Sequence, residues 1–329
     1  MKHFTTVHDI KNPLALVDEA LEAKLFPGSY CKSGIGKTMG LIFMNPSLRT
    51  RISTQKAAIM LGMDTMVMNI DKEGWALEFK DNVIMNGTSV EHIKDAAAVM
   101  GQYFDIMGVR CFPSLKNRRE DYSEKILVKF MKYSGIPVVS MESATLHPLQ
   151  SLADMMTIRE NWKLKRKPKV VLTWAPHIKA LPQAVANSFA EWSGKMEHDL
   201  VIAQPEGFEL HADYTAKAKI TCNQEEALEN ADFVYVKNWS SFEEYGKVFN
   251  GGQAWLLDEQ KMHLTNNAKL MHCLPVRRNL ELPDALIDGP DSLILQQANN
   301  RQYAAVAVLK RILDSNTVVR KPILNEEMI

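Results

Sequence analysis

Cysteine is scarce in this sequence and widely scattered. Cys31, Cys111, Cys222 and Cys273 are the four present, and none stands in a CxxC or another metal-like or redox spacing, which excludes a zinc ribbon and a dithiol oxidoreductase motif. No secretory leader is visible, so reduced thiols in a cytoplasmic protein are expected. Net charge is lacking too. Lys+Arg and Asp+Glu each number 39, so no bulk basic field exists to hold nucleic acid or an anionic membrane surface, and neither is an expected partner. Any basic residue of consequence has to act locally, on a small anion. No apolar run approaches a membrane span, and no repeat or low-complexity tract occurs. The glycine-rich loops of nucleotide enzymes are missing: no GxGxxG follows a strand, and there is no GxSxG elbow. Gly34–Ile35–Gly36–Lys37–Thr38 contains a Gly-Lys-Thr, but it precedes the first strand, the wrong order for a P-loop, and reads as a turn. No Asp/His cluster has metal spacing, and His272–Cys273 standing alone makes a poor zinc site. Neither a metal nor a cofactor is expected.

What the sequence does contain is an alternation. With 329 residues, 46% of them hydrophobic, the chain can build two ordinary domains. Residues 13–26 carry Leu14, Val17, Leu21 and Leu25 on one helical face. Strands at 39–44, 64–70, 105–110 and 137–141 alternate with helices at 52–61, 91–103, 123–133 and 151–162. Pro148 suits a first helical position. Residues 71–87 are polar and aperiodic and read as a functional loop, in which Trp75 is either a lid residue or a hydrophobic anchor. The basic run 163–169 reads as a solvated linker. Beyond it come strands at 170–174, 199–203, 232–236 and 269–272, helices at 181–192 and 224–230, and a last long helix from about 297 to 313. The tail beyond Ser315 reads as loose. This order predicts an α/β fold of two domains, each with a parallel sheet flanked by helices, joined by interdomain helices.

In such sheets ligands bind beyond the carboxyl ends of the strands. The unusual polar residues fall there: residues 47–51, Arg110, Glu142, His147 with Gln150, His177, Lys237, and Cys273 with Arg277. They come from both halves and predict one composite site in the cleft between two domains. Asn45–Pro46–Ser47–Leu48–Arg49–Thr50–Arg51 joins a strand to a helix, with Ser47 as a plausible N-cap. Two arginines at a helix start oppose the dipole; they mark either a bound phosphate or a solvated, Arg-rich helix start. Arg49, Arg51 and Arg110 can grip phosphate bidentately, and His147 and Gln150 can donate to a carbonyl or amide. No covalent nucleophile stands beside a base, so the chemistry rests on positioning and charge stabilisation.

Ser47–Leu48–Arg49–Thr50–Arg51, His147–Pro148–Leu149–Gln150 and His272–Cys273–Leu274–Pro275, in this order and at these spacings, resemble the three hallmark motifs of the aspartate/ornithine carbamoyltransferase family. The likeness runs from the first strand to about residue 314. It implies a carbamoyl-phosphate domain over 1–147, completed by the C-terminal segment 297–329, an amino-acid domain over 148–296, and homotrimers with active sites at subunit contacts. It further implies that Ser47, Leu48, Arg49 and Thr50 hold the phosphate of carbamoyl phosphate, with Arg110, His147 and Gln150 completing the pocket and Arg301 adding a phosphate-side arginine. Arg49, Thr50, Arg110 and His147 fall where the family polarises the carbamoyl oxygen. The Cys273 and Leu274 carbonyls accept from the carbamoyl NH₂ group, and the Leu274–Pro275 bond is cis. For Cys273 a small buried thiol is equally consistent, since that role uses its backbone.

Ornithine enzymes of the family carry an Asp-x-x-x-x-Ser-Met-Gly segment for the free α-amino group; here the region reads Tyr235–Val236–Lys237–Asn238–Trp239–Ser240–Ser241, and a free α-ammonium would be repelled by Lys237. The surroundings of Glu142, His177, Lys237 and Arg277 resemble the acyl-ornithine branch instead, in which these residues contact the acylated substrate and Trp75 reaches in from the neighbouring subunit to the carbamoyl-phosphate site. Acetyl-type relatives have Glu, and succinyl-type relatives Pro, where this chain has Val90. Loss of a carboxylate there removes repulsion toward a succinyl group. The expected acceptor is N2-succinyl-L-ornithine, in arginine biosynthesis, with N2-acetyl-L-ornithine as the alternative. Rivals of other classes are a non-catalytic anion-binding homologue and a nucleotide-using α/β enzyme.

Overall fold

Most of the apolar runs read as strands are buried and all of them pair in parallel, as such runs demand; the run at 64–70 instead forms a partly exposed edge strand. In the computed structural model, which describes residues 1–249 and 251–317, the first half holds β1 (Thr38–Phe43), β2 (Asp64–Asn69), the two-residue strands β3 (Leu77–Glu78) and β4 (Glu91–His92), β5 (Ile106–Arg110) and β6 (Val138–Glu142). The sheet order is β2-β1-β5-β6, and β3 and β4 pair with each other. The second half holds β7 (Lys169–Trp174), β8 (Asp199–Ala203), β9 (Lys219–Thr221), β10 (Phe233–Lys237) and β11 (Lys269–Met271), in the order β11-β10-β7-β8-β9. All these pairings are parallel. Gly40 in β1 has a local reason: a Cβ there would lie 2.2 Å from the Phe104 ring.

Each sheet reverses its winding once. In the first, β2 adds to one side of β1 and β5 to the other; in the second, β8 and β10 flank β7 in the same way. The crevices at these reversals lie past the carboxyl ends of β1 and β5, and of β7 and β10, where open α/β sheets bind ligands. The segments past those ends contain residues 47–51, Arg110, His177 and Lys237.

The helix Pro148–Asn161 links the halves. Proline opens it, and residues 148–158 are all buried, because it packs against the helices Pro13–Leu25, Ala184–Lys195 and Ile294–Thr317. The helix Ile294–Thr317 also packs on Arg49–Met60, which returns the end of the chain to the first half. It starts three residues before the expected 297, and the tail from 318 lies outside the described residues.

Several expectations need correction. Ser47 is not the N-cap: the helix Arg49–Met60 is preceded by Leu48 in the cap position, with no side-chain cap bond. The helix expected from 91 starts at Ile93, because Glu91 and His92 pair with β3. Residues 71–87 are not wholly irregular: Ile70–Glu73 forms a helical turn and β3 follows. β9 carried no strand signal, being three residues at a sheet edge. The run 163–169 is not simply a solvated linker. Arg166 makes two 2.7 Å bonds to Asp232 and lies over the Trp162 ring, and Lys169 opens β7. No helix among the described residues is long and apolar enough to cross a membrane.

Candidate active site

A cavity of about 760 Å³ opens where the carboxyl ends of the two sheets face each other. The strand ends deliver Ser47, Leu48, Arg49 and Thr50 after β1, Arg110 at the end of β5, Glu142 at the end of β6 with His147 and Gln150 beyond it, His177 after β7, Lys237 at the end of β10, and Cys273 and Leu274 after β11; Arg301 enters from the last long helix. The cations Arg49, Arg51, Lys72, Arg110, Lys237 and Arg301 line the cavity against one carboxylate, Glu142. A cavity so charged suits an anionic ligand.

Two of these cations, Arg110 and Arg301, meet at one hydroxyl. Thr50 Oγ1 accepts from Arg301 Nη2 at 2.7 Å and from Arg110 Nη1 at 3.1 Å. Both acceptor positions of the hydroxyl are then filled, which leaves its proton to be donated. Arg110 Nη1 also bonds Glu142 Oε2 at 2.7 Å, and His147 Nε2 lies 3.6 Å from the same oxygen. Glu142 therefore sits with the cations of the first sheet, and its φ of 153° is rare for a non-glycine residue. Arg110 Nε, Arg301 Nε and the ring nitrogen His147 Nδ1 are buried without a hydrogen-bond partner among the described residues, which leaves them free to meet a ligand. Burial pulls the Arg301 guanidinium down to about 10 and lowers Arg49. Burial, then the charges of Arg301 and Arg110, hold His147 well below the ordinary histidine value, so its imidazole is neutral at pH 7.

Gln150 departs from its expected donor role. Its Nε2 donates to Asp154 Oδ1 at 2.8 Å and its Oε1 accepts from Arg301 Nη1, so oxygen is the end turned toward the cavity side. The turn after β11 is fixed by the imidazole of His272, which accepts the Leu274 N–H at 2.9 Å. Leu274 takes a φ of 57°, and the Leu274–Pro275 peptide is cis, as anticipated. Burial raises the Cys273 thiol, which keeps it protonated and unsuited to attack.

Three anticipated residues lie outside the cavity. Arg277 is exposed and reaches the rim through its Nε, 3.2 Å from His177 Nε2. Trp75 and Val90 are 56% and 65% exposed and share one ribbon, where Val90 N–H donates to Ala76 O and the Trp75 indole donates to Glu91 at 2.7 Å. Sequence reasoning missed Lys72 and Phe112 in the lining and Asp154 and Gln297 behind it. Asp154 had a signal, one helical turn after Gln150; Gln297 had none, since only its fold contacts bring it near.

Two family models cover most of the chain: "Aspartate/ornithine carbamoyltransferase, carbamoyl-P binding domain" matches residues 2–160, and "Aspartate/ornithine carbamoyltransferase, Asp/Orn binding domain" matches residues 182–312. The chain is 48% identical to an N-succinylornithine carbamoyltransferase of Bacteroides thetaiotaomicron over 95% of this chain and 99% of that one. It is 34% identical to an N-acetylornithine carbamoyltransferase of Xanthomonas campestris pv. campestris over 95% of this chain and 98% of that one. Among solved structures, a glutamate-to-valine variant of N-acetyl-L-ornithine transcarbamylase complexed with carbamyl phosphate and N-succinyl-L-norvaline superposes with a TM-score of 0.90 at 34% identity, covering 95% of this chain and all of the other.

Proposed function

This chain belongs to the aspartate/ornithine carbamoyltransferase family, and on that premise we propose that it transfers the carbamoyl group of carbamoyl phosphate to the side-chain amine of N2-succinyl-L-ornithine, giving N2-succinyl-L-citrulline and phosphate, a step of arginine biosynthesis. The observation that carries the reaction is the Arg301–Thr50–Arg110 cluster beside an uncapped helix start. The first-turn N–H groups after Leu48, with Ser47 and Arg49, hold the phosphate. Arg110, the Thr50 hydroxyl and neutral His147 donate to the carbamoyl oxygen. The oxygen of Gln150 and the carbonyls of Cys273 and Leu274 accept from the carbamoyl NH₂ group. Arg301 holds Thr50 and Gln150 in these orientations.

The chemistry follows from that placement. The neutral δ-amine attacks the carbamoyl carbon and forms the new C–N bond. Negative charge gathers on the carbamoyl oxygen in a site of low dielectric, where aimed donors act most strongly. The C–O bond to phosphate then breaks, and the leaving phosphate takes the proton that the amine gives up.

Lys237 and His177 lie on the opposite wall and bind the acylated amino acid, with Arg277 at the rim and Glu142 toward the reacting centre. A buried ammonium at Lys237 favours a carboxylate and opposes a free α-ammonium. For the acyl group, the support is the 48% identity to an N-succinylornithine enzyme together with Val90, which stands where acetyl-type relatives carry glutamate. Homotrimers bring Trp75 and Val90 of one subunit to the cavity of the next.

The deciding experiment is phosphate release from carbamoyl phosphate with ornithine, N2-acetylornithine, N2-succinylornithine and aspartate in parallel. The expected result is turnover with succinylornithine well above the rest. A clear preference for acetylornithine overturns the acceptor, and carbamoyl-phosphate binding with no release for any amine overturns the reaction.

A further inference from the structure

Behind the cavity wall lies a carboxylate that no step above uses. Asp154 has no exposed surface, and a buried carboxylate is costly unless its oxygens are engaged; here one is, and Oδ2 has no hydrogen-bond partner among the described residues. Its Oδ1 accepts from two glutamine amides, Gln150 Nε2 at 2.8 Å and Gln297 Nε2 at 2.7 Å. Each glutamine passes the constraint on. The Gln150 oxygen accepts from Arg301 Nη1, and the Gln297 oxygen accepts the backbone N–H of His272 at 3.0 Å.

A carboxamide can be turned end for end, and only its partners decide which end is which. Arg301 and the His272 amide are donors only, and the Asp154 oxygen serves here as an acceptor. One orientation of each glutamine satisfies both neighbours: nitrogen to Asp154, oxygen outward. The reversed orientation of Gln150 would set its NH₂ against a guanidinium and its oxygen against a carboxylate oxygen.

We propose that Asp154 is a positioning residue, whose buried oxygen pins the Gln150 amide with its acceptor end toward the carbamoyl group and, through Gln297, ties the same point to the His272–Leu274 turn. It touches no substrate. It joins two acceptor sets, the Gln150 oxygen and the carbonyls after β11, that must meet one NH₂ group together. This inference rests on the carbamoyl-phosphate reading of the cavity, since only a ligand donor gives the orientation a use.

The test is a double-mutant cycle on the intact enzyme. Asp154→Ala is expected to lower kcat/KM for carbamoyl phosphate by about 10- to 100-fold, with KM for the acyl-ornithine nearly unchanged. In a Gln150→Ala background the same substitution is expected to cost at least about fivefold less, because only the Gln297 amide is left to orient. Asp154→Asn keeps an acceptor oxygen at the same position and should stay within about threefold of the parent enzyme. Multiplicative losses in the cycle, or an Asp154→Asn loss equal to that of Gln150→Ala, overturn the proposal and leave Asp154 a packing residue. The isosteric Asp154→Asn guards against an Asp154→Ala chain that does not fold. Phosphate release by the unmutated enzyme is the control: its absence counts against the carbamoyl-transfer reading, and its presence with an additive cycle counts against the positioning role alone.

Discussion

Thr50 and Arg301 stand 251 positions apart in the chain, and a 2.7 Å hydrogen bond from Nη2 to the threonine hydroxyl joins them. That bond ties the start of the helix Arg49–Met60 to the helix Ile294–Thr317, so the last long helix of the chain completes a site begun at its first strand. With Arg110 on the second lone pair, Thr50 can only donate to a ligand.

Thr50→Val keeps the shape and removes that donor and both anchor points. The expected loss is about 10²–10³ in kcat, the size of one aimed donor at a developing oxyanion, with the far-ultraviolet circular dichroism unchanged. Thr50→Ser, which keeps the hydroxyl, should recover most of the rate. Initial rates of phosphate release at saturating substrates measure both.

The pH profile should carry no histidine limb. His147 is held well below its ordinary value by burial and by Arg301 and Arg110, so it is neutral throughout the range from about 6.5 upward and has no proton to lose there. The acceptor amine, with an ordinary value of about 10.4 for an alkylammonium of this kind, must lose its proton to attack. The rate as kcat/KM for the acyl-ornithine therefore rises with pH toward that value. His147→Asn should lower the whole curve without changing its shape; a new inflection between pH 6 and 8 in the parent enzyme, absent from the variant, would assign a titrating role to the imidazole.

Asp154 makes stability depend on pH in the direction opposite to a surface carboxylate. Burial raises it to about 7, against the partial relief given by Gln150, Gln297 and Arg301; the Tyr235 phenol and the Cys273 thiol also lie near. Between the unfolded value of 3.8 and about 7 the folded state holds more protons than the unfolded one, so this group's contribution falls as pH rises through that window. Asp154→Asn removes the slope. Denaturant unfolding should show the variant gaining on the parent from pH 5 to pH 8, and a difference that does not vary with pH would contradict the assignment.

Much of this site was legible because strand ends announce themselves. Apolar runs gave β1, β5, β6, β7 and β10, and the polar residues following each run fell into the cavity together. Most of what escaped was set by distant contacts. Ser47 has the chemistry of a cap, but the helix begins one residue too late for it. Gln150 reads as a donor until Asp154 and Arg301 fix its amide from two other directions, and neither neighbour is adjacent in sequence. Gln297 matters only because helix packing brings it to His272. The ribbon carrying Trp75 and Val90 is held by two-residue strands too short for periodicity to show.

Val90→Glu tests the acceptor from the other side. In the proposed assembly a carboxylate at that position stands near the acyl group of a succinylated acceptor and repels its terminal carboxylate, while an acetyl group carries no charge to oppose. The ratio of kcat/KM for succinylornithine over acetylornithine should fall by at least about tenfold, a modest figure for two carboxylates in a partly desolvated cleft. Parallel rates with the two acceptors measure it.

The exposure of Trp75 and Val90 in their own chain, outside the lining of its cavity, makes the proposed assembly testable. In a closed homotrimer with each site built from two neighbours, Arg49→Ala disables a site from its own subunit and Trp75→Ala disables the next one. Neither variant alone should show more than a small residual rate. Mixed in equal amounts, dissociated and reassociated, they should regain activity, because a subunit with Arg49 intact can sit beside one with Trp75 intact; random assortment restores about a quarter of the sites. The regained rate should track the appearance of mixed trimers by native mass spectrometry. If mixing restores nothing while the trimers exchange, Trp75 serves its own chain as an anchor for the ribbon, and its bond to Glu91 is the whole of its role.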